Sequence, residues 1–193
     1  MKERRDGLPL WAYVLMAVGI MVCVGLWEHG MGRRGISKSG QVMLWAGKVD
    51  GPENSQQLLD WYSFSHVIHG FVLYGVLRWA GRGKWPVGLC LLMAVGMEGA
   101  WEVLENSSFI IDRYRKETMS LDYYGDSILN SVSDILCCVV GFVLARRLPV
   151  WVTVGLAVGM EVGVGLAIRD NLTLNVIMLV WPSEAIRHWQ MGR

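Results

Sequence analysis

Long apolar segments separated by short polar ones dominate the hydropathy pattern of the chain. A helix needs about 20 apolar residues to cross a membrane, and the uncharged stretch 7–27 has that length. Tryptophans near both ends of several segments, such as Trp61 and Trp79, are typical of rings at membrane interfaces. We therefore predict an all-α, polytopic transmembrane bundle of five or six helices. The predicted helices are residues 10–26, 61–79, 86–104, 127–145 and 150–168, with a shorter segment at 172–181.

Composition supports a membrane protein. Hydrophobic residues make up 53% of the chain and charged residues only 18%, against about 25% charged in ordinary soluble domains. The net charge of +1 provides no basic surface for nucleic acid, so we expect membrane lipids as partners and no nucleic acid. No repeat or second domain is evident, and we expect one integral membrane domain over residues 1–193.

Basic residues are densest in the N-terminus and in two short loops, which predicts that these segments are cytoplasmic. The polar loop at about 28–60 would then lie outside, with 41–46 as a short interfacial helix. Residues 172–181 are only about 15 Å long as a helix, so they either cross together with 183–189 or lie at the outer surface. We expect them to cross, which would place Arg187 and Arg193 inside. The basic residues that set the orientation are Lys2, Arg4, Arg5, Arg78, Arg82, Lys84, Arg146 and Arg147.

Several ionisable side chains fall inside the predicted helices. Each costs a few kcal/mol at the centre of a bilayer, so such residues normally face the bundle interior or a wet cavity. The glutamates lie at i, i+4 and i+7 of the third helix, and the polar residues of the fourth lie at i, i+4 and i+8, so each set shares one face. The residues concerned are His66 and His69, then Glu98, Glu102 and Glu105, then Asp126, Asn130 and Asp134.

Counting 1.5 Å per residue from the helix ends places these side chains at two matching depths. The sequence therefore predicts one polar pocket near the outer leaflet, open to the outside, with Glu105 as a solvated helix end. The deeper level holds His69, Glu98 and Asp134, and the level one turn above holds His66, Glu102 and Asn130.

Imidazole and carboxylate groups in one pocket suit metal binding and general acid–base chemistry. We predict a divalent transition metal as candidate cofactor, with His66, His69, Glu102 and Asp134 as candidate ligands. Glu98 joins these four as a candidate catalytic residue. Interhelical hydrogen bonding by the same residues is the alternative that the sequence leaves open.

Charged residues at 112–116 are expected in a loop beside the pocket. Guanidinium groups bind phosphate through paired hydrogen bonds, so Arg113 and Arg115 are candidate contacts for an anionic ligand. Asp126 and Asn130 are further candidate ligand-binding residues. A solvated loop is the competing interpretation.

The fifth helix carries glycines at four-residue spacing, a pattern that lets another helix approach closely. Glu161 lies on the opposite side of this helix from Gly155, Gly159 and Gly163. We therefore expect the fifth helix to be central in the bundle.

Several motifs resemble an uncharacterised (UPF-type) family of bacterial inner-membrane proteins. This resemblance covers most of the chain from about residue 61 and implies a multi-pass protein of the bacterial inner membrane. The motifs are S-H-V-I-H-G at 65–70, E-x-x-x-E-x-x-E-N at 98–106, I-D-R-Y-R at 111–115, D-Y-Y-G-D-S-x-x-N-S-x-S-D at 122–134, R-L-P-V-W at 147–151 and I-R-D-N-L-T-L-N at 168–175.

A looser similarity is to VanZ-like membrane proteins, which are associated with glycopeptide tolerance. Their pattern is a His on an early helix, a Glu on a later one, an Arg in the next loop, and an Asp on a helix that continues into Gly. The chain departs from this pattern in its extra carboxylates and its long first outer loop. The similarity implies a cell-envelope role, and the matching residues are His69, Glu98 or Glu102, Arg113, Asp134 and Gly141.

Three functional hypotheses follow from these residues. The first is a metal-assisted site for envelope chemistry or binding that acts on a lipid or lipid-linked molecule. The second is a proton-coupled transporter or carrier, in which Glu161 extends a carboxylate relay. The third is a non-catalytic assembly factor whose polar groups only hold helices together. The sequence does not decide whether the protein is an enzyme.

Overall fold

The computed structural model describes residues 7–118, 120 and 122–192, so Lys2, Arg4, Arg5 and Arg193 lie outside the described part. The described chain is an all-α helix bundle with one pair of two-residue strands, which confirms the predicted fold class. Its elements are α1 (Leu10–Gly30), β1 (Trp45–Ala46), β2 (Leu59–Asp60), α2 (Ser63–Ala80), α3 (Val87–Glu105), α4 (Ser108–Glu117), α5 (Ile128–Arg147), α6 (Val150–Ile168), α7 (Leu172–Val180) and α8 (Glu184–Met191).

Four of these helices, α1, α3, α5 and α6, are long and apolar enough to cross a membrane. At 18 residues, α2 is also about 27 Å long, and it packs against α3, α5 and α6. Helices α2 and α5 begin at the end of the bundle where α1 and α3 finish. We call this the site end, because the histidines of α2 and the carboxylates of α3 and α5 collect there.

The closest helix contact joins α2 to α5 through two glycines. A Cβ atom on Gly70 would lie 2.1 Å from the carbonyl oxygen of Cys138, and one on Gly141 would lie 2.0 Å from that of Val67. No side chain fits at either position, so the two backbones touch. Any larger residue there must push the helices apart.

Helix α6 lies at the edge of the bundle, so the prediction that it is central was wrong. A Cβ atom on Gly155, Gly159 or Gly163 would meet nothing within 4 Å. The small-residue pattern of α6 therefore has no helix partner within the described chain. The neighbouring valines on this helix, including Val154 and Val158, are exposed.

The polar loop between α1 and α2 packs over the site end. Strands β1 and β2 pair in parallel within it, so the expected helix at 41–46 was wrong. The loop also covers the start of α5: the backbone N–H groups of Ser127, Ile128 and Leu129 donate to loop carbonyl oxygens at 3.0, 2.8 and 3.1 Å. Free N–H groups at a helix start need such partners, and here the acceptors are the carbonyl groups of Ser55, Arg34 and Gly35.

The C-terminal segment folds back on itself instead of crossing. Gln190 on α8 donates to Asp170 Oδ1 at 3.0 Å, and Arg169 donates to the carbonyl oxygen of Trp189 at 3.0 Å. Asp170 lies two residues before α7, so the end of α8 returns to the level where α7 begins. The prediction that 172–189 crosses the membrane was therefore wrong, and α7 and α8 form a hairpin at the site end.

Candidate functional site

Histidines of α2 and glutamates of α3 meet at the centre of the site. His66 Nδ1 lies 2.7 Å from Glu98 Oε1, and His69 Nδ1 lies 2.9 Å from the same oxygen. His66 and Glu98 are buried, and His69 is partly buried. The i, i+3 spacing on α2 aims both rings at one carboxylate.

Glu102, one turn along α3, is the least satisfied member of this cluster. Its side chain is 1% exposed, and its Oε1 atom has no hydrogen-bond partner among the described residues. That oxygen lies 3.4 Å from His66 Nδ1, which already pairs with Glu98. A buried carboxylate oxygen without a partner is rare in proteins, and a missing proton or cation is an ordinary reason for one.

Asp134 of α5 approaches His66 from the other side of the ring. Its Oδ2 atom lies 3.8 Å from His66 Nε2, and its Oδ1 atom accepts a hydrogen bond from Ser63 at 3.1 Å. Asp134 therefore faces the nitrogen that points away from Glu98 and Glu102. At 3.8 Å this is an electrostatic contact rather than a hydrogen bond.

The donor atoms of α2 and α3 form two overlapping groups, each compact enough to hold an ion, and His66 belongs to both. The nitrogen and oxygen atoms of His66, His69 and Glu98 all lie within 4.8 Å of one another, as do those of His66, Glu102 and Glu105. A tetrahedral ion with bonds of about 2.0–2.2 Å holds its ligand atoms about 3.3–3.5 Å apart. The pair that joins His66 Nδ1 to Glu102, at 3.4 Å, lies in that range. The pair that joins it to Glu98, at 2.7 Å, is a direct hydrogen bond that must lengthen to admit an ion.

A second polar layer surrounds Asp126, just before α5. Asp126 Oδ2 accepts hydrogen bonds at 3.0 Å from Asn106 and from the hydroxyl group of Tyr123. Burial raises the pKa of Asp126 to about 7, and the negative charge of Asp60 adds to the effect. This carboxyl group therefore changes protonation near neutral pH.

Asn130 connects the same layer to the outer loop. Its side-chain amide donates to the carbonyl oxygen of Gln57 at 2.9 Å, and its backbone N–H donates to the Ser127 side chain at 3.1 Å. Asn130 is buried and lies on the cavity wall, where its amide holds the loop against α5.

A cavity of about 430 Å³ opens beside these residues. Its polar part lies at the site end, and an apolar part extends between α2, α3 and α7. The polar lining residues include Asp60, Tyr62, His66, His69, Glu98, Glu105, Tyr114, Tyr123, Asp126, Asn130 and Asp134, and the apolar ones include Val72, Leu73, Met97, Trp101, Leu172 and Val176.

The expected anion contacts do not line this cavity. Residues 112–116 belong to helix α4 rather than to a loop. The Nε atom of Arg113 donates to the carbonyl oxygen of Leu179, and that of Arg115 donates to that of Tyr123. The structure gives both guanidinium groups backbone partners and no place in the cavity wall.

Two glutamates also differ from expectation. Glu105 is not a solvated helix end, because it lines the cavity and accepts a hydrogen bond from the Tyr114 hydroxyl at 2.8 Å. Glu161 lies away from the cavity wall. Its two oxygens accept hydrogen bonds at 3.0 Å from the backbone N–H groups of Leu172 and Thr173, so it caps the start of α7.

Sequence reasoning missed the buried acid Asp60, which lies outside the helices. Asp60 accepts hydrogen bonds from the backbone N–H groups of Ser55, Tyr62 and Ser63, at 2.9, 2.8 and 3.3 Å. Its place just before α2 is a common signal for a helix-capping acid. Asp170, by contrast, was a candidate for pairing with its neighbours or with the pocket, and it accepts a hydrogen bond from the Tyr62 hydroxyl of the cavity wall at 3.0 Å.

Comparison with known proteins places most of the chain in one family. Residues 28–192 match the profile of a protein family of unknown function, DUF2585. A UPF0314 protein of Sphingopyxis alaskensis is 52% identical over 184 residues, covering 94% of this chain and 95% of that protein. A UPF0314 protein of Sinorhizobium fredii is 50% identical over 182 residues, covering 94% and 92%.

These matches confirm the resemblance to an uncharacterised UPF family. A UPF0314 protein of Paracoccus denitrificans, 50% identical over 186 residues, covers 96% of this chain and is itself covered to 94%. No solved structure shows significant similarity to the chain. The looser similarity to VanZ-like proteins remains a prediction.

Proposed function

We propose that this chain, which belongs to the DUF2585 family, is a multi-pass protein of the bacterial inner membrane with a metal-assisted site for a lipid or lipid-linked envelope molecule. The metal is a divalent transition ion held between α2 and α3. Its ligands are His66, His69 and Glu98, which form one compact group, and Glu102, which shares His66 with the neighbouring group and must move toward the ion. This set differs from the one expected from the sequence, because Glu98 takes the place of Asp134.

The unpartnered Oε1 atom of Glu102 carries the metal proposal. Glu98 can satisfy both histidines by hydrogen bonds alone, so the histidines by themselves do not require an ion. That arrangement gives the Oε1 atom of Glu102 no hydrogen bond, although this buried oxygen lies only 3.4 Å from His66 Nδ1. An ion among the four side chains would satisfy this oxygen, and it would be balanced by two carboxylates.

Neighbouring residues support the same site. Ligand histidines usually have a carboxylate or carbonyl group near their second nitrogen, which fixes the ring orientation. Asp134 takes this position behind His66, and Ser63 holds it there. A divalent metal supplies Lewis-acid chemistry and activates water without a serine or cysteine nucleophile.

Charge distribution supports the orientation in the membrane. The turns between α2 and α3 and between α5 and α6 contain or adjoin several basic residues, and both lie at the end opposite the site. Positive residues favour the cytoplasmic side. With α1, α2, α3, α5 and α6 as five spans, the cavity opens at the outer leaflet.

Metal analysis of the purified protein in detergent tests the proposal. We expect one zinc-like ion per chain, measured by elemental analysis and by Co²⁺ absorption titration. Each of His66→Ala and Glu102→Gln should lower the metal affinity about tenfold or more. His188→Ala is the matched control, because His188 is exposed on α8 and lies away from the cavity lining.

Two results would overturn the metal site. If the wild type binds no transition metal, or if His66→Ala and His188→Ala bind it equally well, the cluster has only a structural role. The protein then fits a non-catalytic assembly factor. Proton flux in vesicles that is lost in Glu161→Gln would favour a carrier instead, although Glu161 caps α7 and does not line the cavity.

A further inference from the structure

The cavity has an apolar mouth. Among its described lining residues, the three that are exposed are Val72 at 55%, Met97 at 50% and Val176 at 47%. All three are apolar, whereas the polar lining residues are buried or partly buried. An exposed apolar rim on a bundle with four helices that could span a membrane fits a mouth that opens toward hydrocarbon.

The mouth lies below the polar part of the cavity along α2. From Tyr62, at the start of α2, to Val72 is ten residues, or about 15 Å of helix. The mouth is therefore about half of the hydrocarbon thickness away from the start of α2. The polar lining residues nearest to it are His69 and Glu98, which lie within one helical turn of Val72 and Met97. The position of the mouth matches the acyl chains of the outer leaflet.

Helix α7 closes the third side of this passage. Leu172 and Val176 line the cavity one turn apart, and Asn175 between them accepts a hydrogen bond from the Tyr114 hydroxyl at 3.0 Å. The apolar wall thus comes from three helices, while the polar lining groups collect toward the site end. A molecule that fits both parts must itself be amphipathic.

In the described part of the chain, the only lining residues of the polar end that can carry positive charge are His66 and His69, which both pair with Glu98, and the proposed metal ion is balanced by Glu98 and Glu102. The other carboxylates of the polar end include Asp60, Asp126 and Asp134, and no lysine or arginine lines the cavity among the described residues. A phosphate group placed there would meet like charges in a partly desolvated site. Hydroxyl groups, in contrast, can donate to these carboxylates and accept from the lining tyrosines.

We propose that the cavity admits one acyl chain of a membrane lipid between α2, α3 and α7, and that it selects a lipid whose uncharged headgroup bears hydroxyl groups. This inference deepens the proposed function by naming its substrate class, and it rests on the lipid part of that proposal alone. The second acyl chain stays in the bilayer. The headgroup reaches the polar end beside His66 and Asp126.

Photocrosslinking in nanodiscs tests this inference. The probes are diacylglycerol and phosphatidic acid that carry the same diazirine-labelled acyl chain, so they differ only in the phosphate group. We expect diacylglycerol to label peptides of α2, α3 and α7, and phosphatidic acid to label them about tenfold less. Val72→Trp should fill the mouth and lower the diacylglycerol labelling to a similar extent.

Val76→Trp is the matched control. Val76 lies one turn further along α2, is 48% exposed, and does not line the cavity, so its replacement should leave the labelling unchanged. Equal labelling by the two probes overturns the headgroup selection, and equal labelling of the two tryptophan variants overturns the entry route. Labelling is measured with and without a chelator: a protein that binds no metal but is labelled as expected refutes the metal site and supports this inference.

Discussion

Replacing Gly141 by alanine should separate the two helices on which the site depends. The new Cβ atom would lie 2.0 Å from the carbonyl oxygen of Val67, and real Cβ contacts under 3.0 Å are essentially absent from proteins. Helices α2 and α5 must therefore move apart by at least 1.0 Å at this crossing. The obstacle is a helix backbone, which cannot rotate away as a flexible side chain can.

This displacement has a cost in stability and a consequence for the site. Overpacking a core typically costs about 1–3 kcal/mol, and we expect the upper end because backbone is involved. For a chain of this size, about 3 kcal/mol corresponds to a fall of about 6–12 °C in Tm. The hydrogen bond from Ser63 on α2 to Asp134 on α5, now 3.1 Å long, should lengthen beyond bonding distance.

Thermal unfolding in detergent is the assay, with Gly155→Ala as the matched control. Both substitutions add one methyl group to a glycine in a long apolar helix. A Cβ atom on Gly155 meets nothing within 4 Å, so this variant should be as stable as the wild type or slightly more stable, since alanine favours helix. The reasoning is refuted if Gly141→Ala unfolds within 2 °C of the wild type, or if the two variants lose the same stability.

The remaining predictions concern pH and the cap of α7. The pKa of Asp126 rises from 3.8 to about 7 on folding, so the folded state holds this proton more tightly. This proton therefore adds to the free energy of unfolding: the contribution is complete below pH 3.8 and is lost as the pH rises through 7. Asp126→Asn should remove this pH dependence, which is on the order of 4 kcal/mol in unfolding measurements. Glu161→Ala removes two acceptors from the start of α7, which should cost about 1 kcal/mol and speed amide hydrogen exchange in α7 while metal content stays unchanged.

An exposed acid, Glu184, provides the control for the Glu161 prediction. Glu184→Ala on α8 removes a carboxylate that is largely exposed, so α7 should exchange as in the wild type. Unchanged exchange in Glu161→Ala would contradict the capping role. An equally steep pH profile in Asp126→Asn would show that another group causes the pH dependence.

The meeting of the polar side chains was predictable from the sequence because hydrocarbon penalises charge so strongly. Helical spacing placed Glu98 and Glu102 on one face of α3, and counting residues placed Asp134 at the depth of Glu98, with His66 one turn above. Since such groups avoid lipid, their helices had to turn toward one another. The identity of the closest neighbours was beyond this reasoning, because it depends on how each helix is rotated.

The other predictions failed where the tertiary packing does not follow the local sequence pattern. Glycine spacing on α6 predicted a helix contact, but the real contact uses one glycine on each of two other helices, Gly70 and Gly141. Arg113 was expected at the cavity because charge alone does not reveal that a backbone carbonyl at Leu179 will accept its hydrogen bond. The hairpin of α7 and α8 depends on Gln190 reaching Asp170, a contact between residues with no shared periodicity.

The loop carbonyls that cap α5 impose an order on biogenesis. The ribosome synthesises the acceptor residues Arg34, Gly35 and Ser55 well before it synthesises residues 127–129, whose N–H groups donate to them. A nascent chain that stops short of α5 therefore holds these acceptors ready with water as their partner. The helix that delivers Asp134 to the site is therefore also the one that gives these loop carbonyl oxygens their protein partners.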